Sequence, residues 1–217
     1  MSTHYRNCIQ LASQYLSKNS VMIDVGCNIN PIVEMGYAEW IEGWNDDFTL
    51  LFLEYFPESK CIGIEPLHWQ TYENRWINDS RVELLKIGLS DKDTIESIFF
   101  PGERHVLSSF YFRNDFKNDS NTTVKEIKCK KLDSLFIDFN LDKIDYLKID
   151  TEGSEYKILC GATELLKKKK INFIQYEYGL SDTDSNIPSP EKISNFLKSF
   201  DYEEILTSGG EKLWKLK

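Results

Sequence analysis

The stretch Ile144–Leu166, "IDYLKIDTEGSEYKILCGATELL", is a short apolar run, then acids around a glycine, then a longer run with helical spacing. A short, nearly continuous apolar run suits a strand covered on both faces, and a helical return makes the next strand parallel to it. The unit recurs. "VMIDVGCNIN" (Val21–Asn30), "CIGIEP" (Cys61–Pro66) and "INFIQYEY" (Ile171–Tyr178) are further buried strands that close on an acid. "VELLKIGL" (Val82–Leu89) reads as one more strand. Between them the spacing predicts a leading helix over residues 5–18 and another over 47–56, ended by Pro57. "WQTYENRWIN", "LDSLFIDF" and "EGSEYKILCGATELLKK" read as three more helices.

Ser189 and Pro190 open a helix over "SPEKISNFLKSF", with the serine as N-cap and the proline at the first helical position. The run "YEEILTSGGEKLWKL" is two β-like segments joined by Ser208-Gly209-Gly210, a hairpin. Ile95–Phe100 and Thr123–Cys129 alternate as strands do, and "RNDFKNDSNTT" between them reads as a mobile surface loop. Strands alternating with helices imply one α/β domain over residues 1–217, a mostly parallel sheet with helices on both faces.

The chain has 217 residues, 41% hydrophobic and 28% charged, which suits an ordinary globular domain and argues against disorder. Its formal net charge of −9 opposes a general affinity for nucleic acid or anionic membrane. The five cysteines, Cys8, Cys27, Cys61, Cys129 and Cys160, form no Cys-x-x-Cys pair, so neither a zinc knuckle nor a disulfide framework is expected. The first residues have no apolar core of signal-peptide length and no later run spans a bilayer, so a cytoplasmic protein is expected.

In an open parallel sheet the ligand lies beyond the carboxyl ends of the strands. Those ends carry Asp24-Val25-Gly26, Glu65-Pro66, Ser90-Asp91, Asp150-Thr151-Glu152 and Glu177-Tyr178. Any one acid can cap a following helix; five acidic turns together suggest a shared ligand. Glu65 suits a ribose diol. The first loop has one glycine where a pyrophosphate turn uses three, and Asp24 would repel a phosphate. A cofactor with a cationic end and a ribose diol fits better, and S-adenosylmethionine has both.

"IDVGCN", "GIEP", "KIGLSDKD", "KKLDSL" and above all "LKIDTEGSEYKILCGA" resemble the FkbM family of S-adenosylmethionine-dependent methyltransferases, from about Val21 to about Tyr178. The resemblance implies the class I methyltransferase (Rossmann-like) fold, a seven-stranded, mostly parallel sheet with an antiparallel C-terminal hairpin. It also implies site roles. Asp24, Gly26 and Asn28 would line the methionine part of the cofactor. Glu65 would hold the ribose, with Pro66 and Leu67 shaping its turn, and Leu89, Ser90 and Asp91 would sit by the adenine. Asp150 and Glu152 would close the strand nearest the transferred methyl group.

The chain departs from the family at Asn30, where members usually have glycine, and an insertion over about 30–46 follows. Its Tyr37, Trp40 and Trp44 are candidates for a lid, a sugar-stacking surface or a homodimer contact. Family members typically methylate hydroxyl oxygens, often on sugars, so the expected reaction is O-methylation of a sugar or sugar-nucleotide in glycan or capsular polysaccharide biosynthesis. Such a hydroxyl needs a base. The candidates are Asp150, Glu152, Glu177 and His105, with His68 a possible neighbour of the site. Asp150, Glu152 and Glu177 also offer oxygen ligands for Mg²⁺ or Ca²⁺, although a metal is not the favoured expectation. An anionic acceptor would need cations, from Arg75, Arg104, Arg113 or Lys148; Lys148 and Asp150 share one strand face. The rivals are another small-molecule acceptor, a nicotinamide dehydrogenase, and a non-catalytic binding subunit on the same fold.

Overall fold

A strand that is apolar along its whole length is stable only where both of its faces are covered. The computed structural model describes residues 3–27, 47–67, 69–101, 107–118, 120–179 and 184–217. In chain order the first elements are α1 (Thr3–Ala12), β1 (Val21–Val25), α2 (Phe48–Tyr55), β2 (Lys60–Ile64), α3 (Gln70–Trp76) and β3 (Val82–Leu85). Then follow β4 (Gly88–Leu89), β5 (Thr94–Pro101), β6 (Thr122–Lys130), α4 (Leu132–Asp138) and β7 (Ile144–Ile149). The chain continues through α5 (Glu155–Cys160), α6 (Thr163–Lys167), β8 (Ile171–Glu177), α7 (Pro190–Lys198), β9 (Tyr202–Ser208) and β10 (Glu211–Leu216).

Seven strands form one sheet in the order β3-β2-β1-β7-β8-β10-β9. All are parallel except β10, which is antiparallel to both of its neighbours. The chain runs outward from β1 to β2 and β3, then returns to lay β7 on the other side of β1. That reversal opens a crevice at the carboxyl ends of β1 and β7, where such sheets bind ligands.

Alternate side chains send the two faces of the sheet into two cores. Ile23, Val25, Ile62, Leu147, Ile149, Ile174 and Trp214 pack with residues of α4 to α7, including Leu135, Ile158, Leu166 and Leu197. Met22, Cys61, Tyr146, Phe173 and Leu213 pack with Cys8 and Ile9 of α1 and Phe48, Leu51 and Phe52 of α2. On this second face, two residues nearer the carboxyl edge, the side chains turn polar. Met22 gives way to Asp24, Tyr146 to Lys148, Phe173 to Gln175 and, on the antiparallel β10, Leu213 to Glu211. These four are buried. The α1/α2 face therefore begins as an oily layer and ends as a charged one.

The sequence reading holds for the strand–helix alternation and for the hairpin, whose Gly209 and Gly210 both have positive φ, 58° and 112°. Ser189 caps α7, accepting from Lys192 N at 3.3 Å. Four expectations change. The leading helix ends at Ala12. Val82–Leu89 is two strands: β3 pairs with β2, while β4 leaves the main sheet to pair with β6, which is antiparallel to β5. The helix over 152–168 is broken into α5 and α6 at Gly161, whose carbonyl accepts from Asp133 N at 3.0 Å, and where a Cβ would stand 2.1 Å from the Ser90 carbonyl oxygen. The polar segment after Arg113 is not simply a surface loop. Asn114–Asn118 form a 3₁₀ turn, and Phe116 and Arg113 are 1% and 5% exposed.

Gly26 joins β1 to its loop with φ 79°, and a Cβ there would lie 1.8 Å from the Asp150 carbonyl oxygen. Both the left-handed backbone and the contact exclude a side chain. Gly26→Ala should lower unfolding free energy by about 3 kcal/mol or more, read from the urea midpoint. A variant within about 0.5 kcal/mol of the parent would refute this account of the turn.

Candidate active site

The buried charges lie beneath the crevice. Lys148 is 3% exposed and Asp24 1%. Register pairs Asp24 of β1 with Lys148 of β7, and Lys148 with Gln175 of β8. Lys148 Nζ stands 3.5 Å from Asp24 Oδ1 and 3.1 Å from Asp150 Oδ2. Burial works to lower the Lys148 pKa, but Asp150 and Asp24 outweigh it and raise it, so the ammonium stays charged. Asp24 is pushed up by burial, with Lys148 opposing. Its Oδ2 accepts from Thr49 Oγ1 at 3.3 Å; its Oδ1 has no hydrogen-bond partner among the described residues.

The second turn adjoins the first, since Gly26 N donates to Ile64 O at 2.9 Å. Glu65 follows, 8% exposed, with Oε1 accepting from Leu67 N at 2.9 Å. Pro66 is partly exposed in that turn, and Leu67 packs against Ile98, Ile127 and Cys129 of the smaller sheet. Leu89 and Ser90 are buried; Ser90 Oγ bonds Asp91 Oδ1 at 3.1 Å and the Glu96 carboxylate, which also pairs with Lys157. Asp91 is exposed.

The third turn, Asp150–Gly153, has left-handed backbone at Glu152 (φ 56°) and Gly153 (φ 107°). Glu155 pins it, its Oε1 accepting from Thr151 N at 3.0 Å, Thr151 Oγ1 at 3.1 Å and Gly153 N at 3.2 Å. Ser109 Oγ donates to Glu152 O at 2.7 Å. Carboxylate oxygens of Asp150, Glu152 and Glu177 come within 4.8 Å of one another, a set able to ligate a hard cation. Burial raises all three; Lys148 and hydrogen bonds from Glu177 and Tyr5 outweigh it at Asp150 and pull that group below its usual range. Burial and the Asp150 charge drive Glu177 far up, so it holds a proton that it shares with Asp150. Burial pushes Glu152 to about 7, although Arg113 pairs with it. Burial and Asp150 also raise Glu211, which accepts from Gln175 Nε2 at 2.8 Å.

Of the residues singled out by sequence, Asp24, Gly26, Lys148, Asp150, Glu152 and Glu177 come together at the β1/β7/β8 ends, with Glu65 in the adjoining turn. Asn28, Trp40, His68, Arg104 and His105 lie outside the described residues, as does the insertion. Arg75 pairs with buried Asp47 at 2.6 Å. His4 sits at the hairpin turn, its Nδ1 3.2 Å from Ser208 Oγ. Sequence reasoning missed Tyr5, whose hydroxyl donates to Asp150 Oδ2 at 2.9 Å, and missed Glu155 and Glu211. Glu211 had a signal: it shares a strand face with Leu213 and should have pointed into the sheet. Tyr5 had none, because its contact spans 145 residues.

The strand order, with β10 slotted antiparallel between β8 and β9, is that of the class I methyltransferases. A candidate methyltransferase of Streptococcus mutans, solved with S-adenosylhomocysteine, is similar at 11% identity and TM-score 0.51, over 99% of this chain and 98% of the other. A candidate rRNA methylase of Clostridium thermocellum is similar at 10% identity and TM-score 0.51, over 100% and 98%. No curated protein matches in sequence. Residues 24–204 match the methyltransferase FkbM domain, and the chain belongs to that family.

The raised acids make stability depend on pH in a definite direction. In the unfolded chain Glu152 and Glu177 titrate near the ordinary value of 4.5; in the folded one they hold their protons longer, Glu152 to about 7 and Glu177 higher still. Their stabilisation is complete below the unfolded pKa and is lost as pH rises. The melting temperature should therefore fall between pH 5 and about 8. Glu177→Gln should melt about 3–6 °C above the parent at pH 8, with a flatter pH profile. A lower melting temperature at pH 8 would contradict the shared proton.

Proposed function

We propose that the protein is an S-adenosylmethionine-dependent O-methyltransferase acting on a sugar hydroxyl, in glycan or capsular polysaccharide biosynthesis. The observation that carries the cofactor reading is the Asp24 carboxylate: buried, beside Gly26, and with Oδ1 making no hydrogen bond among the described residues beyond a 3.5 Å ion pair to the shared Lys148 ammonium. A carboxylate oxygen with hydrogen-bonding capacity to spare there suits an ammonium donor from a ligand. The charge balance agrees. Asp24, Asp150, Glu152 and Glu211 gather around one buried ammonium, Lys148, and one guanidinium, Arg113. In this reading Asp24 and Asp150 meet the cationic methionine end, Gly26 and Asn28 form the loop over it, and Glu65 takes the ribose diol. Pro66 and Leu67 shape that turn, and Leu89, Ser90 and Asp91 flank the adenine.

Bound there, S-adenosylmethionine supplies an electrophilic methyl group and departs as a neutral thioether. The chain's own task is to align the acceptor oxygen and take its proton. Glu152 suits that work. Its pKa near 7 leaves it substantially ionised at neutral pH yet basic enough to accept, and Arg113 fixes its orientation. Glu177 already carries a proton, so its role is to donate a hydrogen bond, not to act as the base. Lys148 is committed to Asp24 and Asp150, so its role is charge balance beneath the site and not acceptor binding. His105, Arg104 and Trp40 remain candidates for base, acceptor cation and stacking surface.

A shallow cleft opens beside Glu177, lined by Glu155, Tyr178, Ile187, Pro188 and Ile193 among others. No Lys or Arg is among its described lining residues, and the candidate cations Arg75, Arg113 and Lys148 are paired with acids.

The test is a panel of methyl glycosides and nucleotide-sugars incubated with S-adenosylmethionine, read by mass for the gain of one methyl group. Methylation confined to an amine or to RNA would overturn the O-methyl reading. With the acceptor in hand, Glu152→Gln should lower kcat about 100-fold or more while leaving cofactor affinity nearly unchanged. Activity should survive excess EDTA; its loss, with recovery on adding Mg²⁺, would transfer the role of Asp150, Glu152 and Glu177 from proton handling to metal binding.

A further inference from the structure

Two side chains from outside the family-matched residues 24–204 reach the acidic cluster, Tyr5 from α1 and Glu211 from β10. Tyr5 is the more telling because it touches Asp150 directly. Its hydroxyl donates to Asp150 Oδ2 at 2.9 Å, the same oxygen that accepts from Lys148 Nζ at 3.1 Å. The ring is set edge-on to Phe48 of α2, with centroids 5.4 Å apart, and the Lys148 ammonium stands 5.6 Å from the ring centroid. Helix α1 is tied down on its other side. His4 Nδ1 and Asn7 Nδ2 both meet Ser208 Oγ, at 3.2 and 3.1 Å. Gly209 presses so close to the His4 ring that a Cβ there would lie 2.1 Å from it.

We propose that Tyr5 is a positioning residue for the methyl-donor pocket, and that docking of α1 onto the β9–β10 turn sets cofactor affinity. The inference rests on the reading that Asp24 and Asp150 receive the cationic end of the cofactor. Lys148 is shared between these two carboxylates. Asp150 takes part of its stabilisation from Tyr5, which leaves the ammonium within reach of Asp24. Without the hydroxyl, Asp150 draws Lys148 toward itself, and both carboxylates shift relative to the ligand. Tyr5 acts through Asp150, so its effect depends on Asp150 being a carboxylate.

The experiment is calorimetric titration of S-adenosylhomocysteine into the full chain, wild type, Tyr5→Phe, Asp150→Asn and the double variant, each at a temperature where circular dichroism shows it folded. The phenylalanine keeps the ring on Phe48 and removes only the hydroxyl. Tyr5→Phe should weaken binding about tenfold, the scale of a hydrogen bond to a charged group. In the Asp150→Asn background the same substitution should change binding less than about twofold, since the group it acts through is gone. Wild-type affinity in Tyr5→Phe, or an equal loss in both backgrounds, overturns the proposal. If Tyr5→Phe does not fold, Ser208→Ala serves in its place. It removes the hydrogen bonds of His4 and Asn7 to the hairpin turn and should weaken binding severalfold; unchanged affinity overturns the proposal. A wild-type protein that binds no S-adenosylhomocysteine defeats the cofactor reading itself, an outcome distinct from a silent Tyr5.

Discussion

The buried ammonium of Lys148 between Asp24 and Asp150 is the constraint on which the site depends. A charge this deeply buried is tolerated only when paired, and leaving a partner unpaired typically costs on the order of 3–5 kcal/mol. Lys148 lies in the middle of the sheet, on β7, and its two carboxylates come from β1 and from the turn after β7. The triad therefore locks the register of two neighbouring strands at the crevice. A slip of one residue would turn Lys148 into the oily core formed by Leu147 and Ile149, with no anion to meet it.

The other acids are arranged around that lock and are held against their charge. Burial keeps Glu177 protonated and brings Glu152 near neutrality. More carboxylates face the crevice than the two buried cations, Lys148 and Arg113, can neutralise. Proton uptake at Glu177, and in part at Glu152, relieves this repulsion. The left-handed backbone at Glu152 belongs to the same pattern, held by Glu155 and Ser109 while its carboxylate faces Arg113.

Much of the fold was legible because its strands carry their own burial signature and their own terminators. "VMIDVG" and "YLKIDTEG" each state a covered strand, an acid and a turn, and the twin glycines after Ser208 state a hairpin. The acids at the strand ends were legible one by one. What could not be read was any contact requiring two distant segments to meet. The helix breaks at Gly161, whose carbonyl is taken by Asp133 N and whose place against Ser90 admits no side chain, and β4 leaves the main sheet to pair with β6. Arg113 and Phe116 are buried in a segment whose local composition is that of a loop. Tyr5 lies on an amphipathic helix where its ring looks like ordinary core, and its hydroxyl finds Asp150 only in three dimensions.

The place of β10 has a consequence for the order in which the molecule is built. Among the described residues β9 is an edge strand whose one sheet neighbour is β10, and β10 must enter between β9 and β8. A nascent chain can lay β3, β2, β1, β7 and β8 side by side before Glu211–Leu216 leaves the ribosome, but β9 has nowhere to pair until then. The same late segment delivers Glu211 to the acidic cluster and completes the hairpin whose turn, at Ser208 and Gly209, meets α1. The acidic cluster is therefore completed by α1 and β10 together, and until β10 is in place the open side of β8 stays exposed.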